Sequence, residues 1–198
     1  KELFAEHNQL SGSLPRVEFW SGLQQLQLSS NRLNGTIEYV LNVHRRLRYL
    51  NISNNSFTGT LDGIEKLMEL QVFDVSHNDF YGFLPVSIGQ LLLLNRFVVS
   101  HNRLSGHLPS FKFQLFGPVE QLSRRAMEAP SHEDLEDLVV LFKAMVTLSV
   151  IDVSHNSFSG TVPDHIGKLH TLVIFNASYN SLTGSLPEFV AASWPANI

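Results

Sequence analysis

Short stretches in which apolar and polar positions alternate recur along the whole chain. Around position 97, for example, Phe97 and Val99 alternate with polar or mixed neighbours. This period of two predicts a strand that buries Phe97 and Val99. The same pattern directs Arg96, Val98 and Ser100 to the opposite, outward face.

An asparagine closes each of these stretches, and a glycine follows four residues later, as in Asn102-Arg-Leu-Ser-Gly106. Neighbouring copies are about 24 residues apart, a fixed period that is typical of stacked solenoids. Because the amide can bond to backbone groups of its own and the adjacent repeat, we expect a structural asparagine ladder. Its members are Asn8, Asn31, Asn55, Asn78, Asn102, Asn156 and Asn180.

These repeats resemble the plant-type subclass of the leucine-rich repeat family, whose repeat reads LxxLxLxxNxLxGxIP. The resemblance covers nearly the whole chain. It implies an α/β solenoid, a right-handed leucine-rich-repeat superhelix with a parallel β-sheet on the concave side and short helices or loops on the convex side. Two repeats carry Glu38 and Asp62 where the family has proline, which weakens the prediction of a second strand there.

Composition narrows the possible functions. The net charge of −4 gives no electrostatic support for binding nucleic acid or an anionic membrane. The apolar runs at 91–94 and 138–142 are far shorter than the ~18 residues that a membrane helix needs. The chain has no cysteine, no phosphate-binding glycine loop and no basic–aromatic stripe, so we expect no cofactor, no metal and no enzymatic activity.

The regular spacing breaks once, because Asn102 and Asn156 are 54 residues apart, about 30 more than one repeat requires. We therefore divide the chain into repeats 1–5 (residues 1–110), an insertion (111–147) and further repeats with a degenerate C-terminal segment (148–198). The insertion contains a strand-like stretch at 111–116 and an amphipathic helix predicted at about 131–146. It is either an eroded repeat that packs on the convex side or an island that helps to form a ligand site.

Neither end shows the paired-cysteine caps that are common in extracellular members of the family. We therefore interpret the chain as an interior window of a longer protein, although the segment around Trp194 could form an improvised cap. Possible N-glycosylation sequons begin at Asn34, Asn51, Asn54 and Asn176. They favour the secretory pathway and an extracellular or cell-surface location, whereas the absence of cysteine favours an intracellular or organellar complex.

The outward strand positions define the expected binding face. Candidate contact residues come from the positions six and four before the anchors and from the turn beside them. They are Tyr49, Val72, Asp74, His77, Arg96, Val98, His101, Arg103, Val150, Asp152, Ile174 and Tyr179. Within this set Val98, Val150 and Ile174 predict an exposed apolar patch, which usually marks a contact site. The alternative is that the insertion itself covers this surface.

Three patterns in this region suggest more specific chemistry. Some plant peptide receptors use two arginines on one concave strand to bind a peptide carboxylate, but here Val98 stands in the second position, so an ion pair of Arg96 with Asp74 is the simpler interpretation. The Asp74-Val-Ser76-His77 sequence has the letters of a hydrolase triad without the order that a triad requires. His77 and His101 fall on adjacent repeats, which favours mild pH sensitivity over a zinc site of three or four ligands.

The resemblance implies a protein or peptide recognition module of an extracellular receptor or receptor-like protein. Its partners would be a protein or peptide ligand and possibly a co-receptor, without nucleic acid and with membrane attachment only through segments outside this chain. The alternative is a structural scaffold subunit of a large intracellular or organellar assembly.

Overall fold

The computed structural model describes residues 1–15, 22–109, 148–169 and 171–188 of the 198-residue chain. In these ranges the chain coils into a solenoid of stacked rungs, one rung for each repeat. The predicted strand-like stretch at 111–116, the helix predicted at 131–146 and the segment around Trp194 lie outside the described residues.

The first sheet forms from the alternating stretches before each asparagine. It contains seven parallel strands in the order β1-β3-β5-β7-β9-β11-β13 within the described residues. Each strand pairs with the next without a register slip, so equivalent positions lie in straight rows. The strands are β1 (Glu2–Phe4), β3 (Gln25–Gln27), β5 (Tyr49–Asn51), β7 (Val72–Asp74), β9 (Arg96–Val98), β11 (Val150–Asp152) and β13 (Ile174–Asn176).

The second sheet forms directly after the asparagines and also contains seven parallel strands within the described residues. Both repeats that lack proline keep their second strand. The paired residues of these strands, Arg32–Gly35 and Ser56–Gly59, come before Glu38 and Asp62 in the chain. The strands are β2 (Ser11–Ser13), β4 (Arg32–Gly35), β6 (Ser56–Gly59), β8 (Asp79–Phe83), β10 (Arg103–His107), β12 (Ser157–Gly160) and β14 (Ser181–Leu182).

Short helices carry the chain from the second sheet back to the first. One is the α-helix α1 (Glu38–Val43), which begins at the glutamate that replaces proline. The others are 3₁₀ helices at Ile64–Lys66, Val86–Gln90 and Ile166–Lys168. An acidic residue suits the first turn of a helix because it faces the positive end of the helix dipole.

The core is one continuous apolar column between the sheets and the helices. Phe97, predicted to point inward, is fully buried together with Phe73, and the two rings stack with centroids 5.7 Å apart. Phe57, Phe80 and Phe158 from the second sheet are also fully buried. Each rung therefore closes the apolar face of the rung before it, which is how a solenoid is stabilised.

The asparagine side chains join adjacent rungs through the same atoms at each step. Asn78 Oδ1 accepts a hydrogen bond from the Phe57 backbone N–H at 2.8 Å, and its Nδ2 donates to the Ile52 carbonyl at 3.0 Å. Both partners belong to the preceding rung. Equivalent bonds from Asn31, Asn55, Asn102, Asn156 and Asn180 satisfy backbone groups that would otherwise lie unpaired inside the turn.

The rungs on either side of residues 110–147 are direct neighbours in both sheets. Strand β9 pairs with β11, with Phe97 opposite Ile151, and β10 pairs with β12. The asparagine bonds also continue, because Asn156 Oδ1 accepts from the Leu104 backbone N–H at 3.0 Å. The concave face is therefore continuous at this point, although the sequence is interrupted.

Candidate functional site

One row of outward side chains crosses five strands of the first sheet. Strand pairing places Tyr49, Val72, Arg96, Val150 and Ile174 next to one another in this order. Arg96 is exposed, Ile174 is 48% exposed and the other three are half-buried. We call these five residues the contact row.

The next row, four positions before the asparagines, is more enclosed than the sequence predicts. The expectation that Val98 belongs to an exposed apolar patch is wrong, because only 4% of this residue is accessible. Its strand lies between β7 and β11, and the register puts Val98 directly between Asp74 and Asp152. Asp74 in the same row and Ser100, two residues after Val98, are also buried.

The aspartates of this row bond to the serine two residues further on. Asp74 Oδ1 accepts hydrogen bonds from the Ser76 hydroxyl at 2.6 Å and from its backbone N–H at 3.1 Å. Asp152 accepts the equivalent pair from Ser154. The carboxylate thus contacts the hydroxyl directly, without the intervening histidine that a hydrolase triad requires.

Two arginines form ion pairs with acids of the preceding rung. Arg96 Nη2 lies 3.7 Å from Asp74 Oδ2, and Arg103 Nη2 lies 2.5 Å from Asp79 Oδ1. Asp74 is therefore held by Ser76 on one oxygen and approached by Arg96 on the other. These pairs orient the arginines on the rim of the concave face, where exposure limits what each contributes to stability.

His77, His101 and Tyr179 lie in one stack with His155, at the turn between the two sheets. Burial between neighbouring rings lowers the pKa of His101, and repulsion from His77 and His155 lowers it further. Asp152 acts in the opposite direction. Among the described residues no group of three or more histidine, cysteine or acidic side chains could hold a metal ion.

The four sequons fall into two structural environments. Asn34 and Asn54 are exposed. Asn51 and Asn176 are half-buried in the first sheet, where their Oδ1 atoms accept bonds from Ser53 and Ser178. They therefore occupy the same structural position as Asp74 and Asp152.

The structure also reveals surface features that sequence reasoning did not select. A groove of about 500 Å³ opens beside α1 and is lined in part by Glu38, Asp62 and Glu65. In the sequence, only the replacement of proline at positions 38 and 62 marked the place of this groove. On the second sheet Tyr81 and Phe83 are exposed by 52% and 69%, and they follow the regular outward period of that sheet.

Comparison with known proteins agrees with this architecture. The Leucine Rich Repeat family profile matches residues 46–67, 69–91 and 147–169. Receptor-like protein 34 of Arabidopsis thaliana is 34% identical over 173 residues, and Receptor-like protein 43 is 29% identical over 179 residues. The chain belongs to the plant-type leucine-rich repeat family. Both alignments cover 87% of this leucine-rich repeat chain but only 17% and 23% of the relatives.

Solved receptor ectodomains share the fold of this leucine-rich repeat chain. The Arabidopsis receptor kinase HAESA, solved with the peptide hormone IDA and a co-receptor, superposes with a TM-score of 0.71 at 28% identity. A TDR receptor gives 0.72 at 26% identity. These superpositions cover 93% and 94% of this chain and 26% and 27% of the receptors. In the described part of the chain no helix is long and apolar enough to cross a membrane.

Proposed function

We propose that this chain is the ligand-recognition part of an extracellular receptor or receptor-like protein, and that it binds a peptide or protein through its concave sheet. The observation that carries the proposal is the contact row, an in-register line of side chains that is most exposed at Arg96, in its middle, and at Ile174, at one end. The shared fold with a receptor that was solved in complex with a peptide hormone supports the same conclusion.

The chemistry of the contact row suits an extended peptide. Tyr49, Val72, Val150 and Ile174 offer apolar surface, and Arg96 places one cation among them. Adjacent strands lie about 4.8 Å apart and an extended chain advances about 3.3 Å per residue, so about six peptide residues would cover the contact row and about nine would cross all seven strands of the first sheet. A parallel sheet with fixed register presents such a surface already organised, which lowers the entropy lost on binding.

The location and further partners follow from the same proposal. Receptor-like relatives and receptor ectodomains support an extracellular or cell-surface position. The co-receptor in the HAESA complex supports a second protein partner for this chain as well. Attachment to a membrane would come through segments outside this chain, and recognition would proceed without enzymatic activity.

The test uses a display library of random peptides of about nine residues, selected against the full chain. Selected peptides are then measured by calorimetry against Ile174→Asp, which puts a charge into the contact row, and Val86→Asp. The control residue Val86 is 86% exposed on a 3₁₀ helix outside both sheets. We expect Ile174→Asp to weaken binding at least about tenfold, or about 1.4 kcal/mol, and Val86→Asp to have no effect.

Two results would overturn the proposal. One is a failure to select any peptide that binds the folded chain. The other is equal weakening by both variants, or weakening by Val86→Asp alone, which would place the contact outside the concave sheet. Circular dichroism of each variant separates loss of binding from loss of fold.

A further inference from the structure

Four rings form an unbroken stack at the edge of the first sheet. We call His77, His101, His155 and Tyr179 the ring column. Neighbouring centroids are 4.0, 3.9 and 4.0 Å apart, and the ring planes differ by 13°, 14° and 16°. Each of these residues follows a first-sheet strand by three positions. His77, His101 and Tyr179 are exposed, and His155 is half-buried.

The backbone holds these rings in place from both sides. All four residues have positive φ, between 51° and 54°, a conformation that side chains other than glycine rarely adopt. The His101 N–H donates to the Ser154 carbonyl at 3.0 Å, and the His101 carbonyl accepts from the Asn78 N–H at 3.2 Å. His77 and His155 are fixed by equivalent bonds to the next and preceding rungs. The rungs therefore cannot separate to relieve repulsion between the rings.

Protonation of this stack concentrates positive charge. The ordinary pKa of histidine is 6.5, and burial and two histidine neighbours lower that of His101. Charges on two adjacent rings would be about 4 Å apart, a distance at which like charges repel strongly.

The acids around the ring column are already engaged. Asp74 and Asp152 accept hydrogen bonds from Ser76 and Ser154, and Asp79 is paired with Arg103. Asp152 is the acid that offsets part of the repulsion on His101. Among the described residues, the cation of every ion pair within 4.0 Å is an arginine. No acid of these residues therefore forms a close ion pair with a histidine of the ring column.

We propose that the ring column binds an anionic group of a peptide ligand, a carboxylate or a sulfate, and that this binding is switched on by acidification. The inference rests on the proposed function, since it assigns a charged group of the same peptide to the ring column, which follows the contact row by five residues in each rung. A bound anion stabilises the protonated rings, so proton uptake and anion binding strengthen each other by thermodynamic linkage. The recognition surface would then favour acidic peptides at pH 5.5 over pH 7.5.

The first experiment uses sulfate alone as the probe, on the full chain. Histidine Cε1–H signals are followed by NMR from pH 5 to 8, in sulfate and in chloride at matched ionic strength. We expect the His101 titration midpoint to lie below 6.5 in chloride and to rise in sulfate. Sulfate should bind at least about fivefold more tightly at pH 5.5 than at pH 7.5, the lower end of typical coupling. Identical titrations in the two salts would overturn the proposal.

The chain offers a matched variant for this test. Asn54 occupies the same place as His101 two rungs earlier, with a φ of 54°, so His101→Asn retains a residue that the backbone accepts. This variant should lose most of the pH dependence of sulfate binding. His107→Asn removes a histidine that lies on Gly160, outside the ring column. The pH dependence of sulfate binding should be retained in this variant. An equal effect of both variants would contradict the assignment.

A second measurement separates this inference from the proposed function. Selected peptides with and without a glutamate are titrated at pH 5.5 and pH 7.5. Binding that is equal at the two pH values for both classes overturns the switch and leaves peptide recognition intact. If no peptide binds at either pH, peptide recognition fails, and the sulfate titration still decides whether the ring column is an anion site.

Discussion

The ring of Phe83 lies directly over Gly106 of the next rung, so closely that a Cβ at position 106 would be 2.4 Å from Phe83 Cδ1. The same relation joins most rungs of the second sheet, since the side chain after each glycine covers the glycine of the following rung. The other pairs are Ser13–Gly35, Thr36–Gly59, Thr60–Gly82, His107–Gly160 and Thr161–Gly184. At Gly106, Gly160 and Gly184 a Cβ would come closer than 3.0 Å to that side chain, so close contact as well as positive φ favours glycine there.

Gly106→Ala should be more destabilising than Gly12→Ala. Both glycines have a φ above 80°, so both variants suffer backbone strain of about 1–2 kcal/mol. Only position 106 adds a clash, because nothing lies within 4 Å of a Cβ at position 12. Urea unfolding should show an additional loss of at least about 1 kcal/mol for Gly106→Ala. Adding Phe83→Ser to the Gly106→Ala variant should recover this additional loss of stability. Equal losses for Gly106→Ala and Gly12→Ala would contradict the close contact between Phe83 and Gly106.

Asn78→Ala should lower the free energy of unfolding by at least about 2 kcal/mol, because it leaves buried backbone groups of two rungs without partners. Asn78 is 9% exposed, accepts from Phe57 and donates to Ile52. Asn8→Ala is the control, since Asn8 is exposed and donates only to the Ala5 and Glu6 carbonyls of its own rung. Denaturant unfolding should show a loss below about 1 kcal/mol for the control; an unchanged midpoint for Asn78→Ala would refute the ladder.

Asp74→Asn should leave stability nearly unchanged, whereas Asp74→Ala should cost about 1–2 kcal/mol. The reason is that Asn51 and Asn176 use their amide oxygen at the same place in other rungs to accept the bonds that Asp74 accepts from Ser76. The weak pair with Arg96 at 3.7 Å adds little. Thermal melting of the two variants checks this. Equal losses would show that the charge, and not the acceptor, stabilises this turn.

Stability should decrease as the pH falls through 6.5, and His101 should contribute to the decrease. Its pKa is lowered in the folded protein below 6.5, so the unfolded chain takes up the proton first. The neutral ring therefore favours the fold above pH 6.5, and this advantage is lost as the pH falls toward the folded-state pKa. In chloride buffers, urea midpoints at pH 7.5, 6.5 and 5.5 should change less for His101→Asn than for His107→Asn. A steeper decrease in His101→Asn would reverse the assigned sign.

Expression in a eukaryotic secretory system should yield a chain whose mass falls when N-glycans are removed enzymatically. Asn34→Gln and Asn54→Gln should reduce this mass loss most, because both side chains are exposed. Asn51 and Asn176 lie half-buried in the first sheet and bond to their own serines. An undiminished mass loss in the double variant would place the glycans at the less accessible sequons.

The residues that decide the fold could be recognised from the sequence because their role is local and repeated. Phe97 and Val99 alternate with their neighbours and are fully buried as the period predicts. The family assignment follows from the same repeat and agrees with the receptor-like relatives. In the two repeats that carry Glu38 and Asp62 in place of proline, the second strand still forms, because its paired residues come before these positions.

The arrangement of the candidate site could be predicted from the sequence only in part. Val98 was expected to be exposed and is buried, because accessibility depends on the packing of residues that are distant in the sequence, and the register places Asp74 and Asp152 of two other rungs beside it. The ring column could be predicted as histidines at one repeat position. The ring spacing of about 4 Å and the sandwiched position of His101 could not, since they depend on the geometry of adjacent turns.

The sequence by itself therefore determined the rung, its anchors, its inward residues and the order in which rungs follow one another. These properties depend on period and residue type, which a single chain displays directly. The tertiary structure alone decided that β9 and β11 are neighbours, that Phe83 covers Gly106 and that Val98 is enclosed. Each of these depends on distances between residues of different rungs, and such distances exist only after the rungs have stacked.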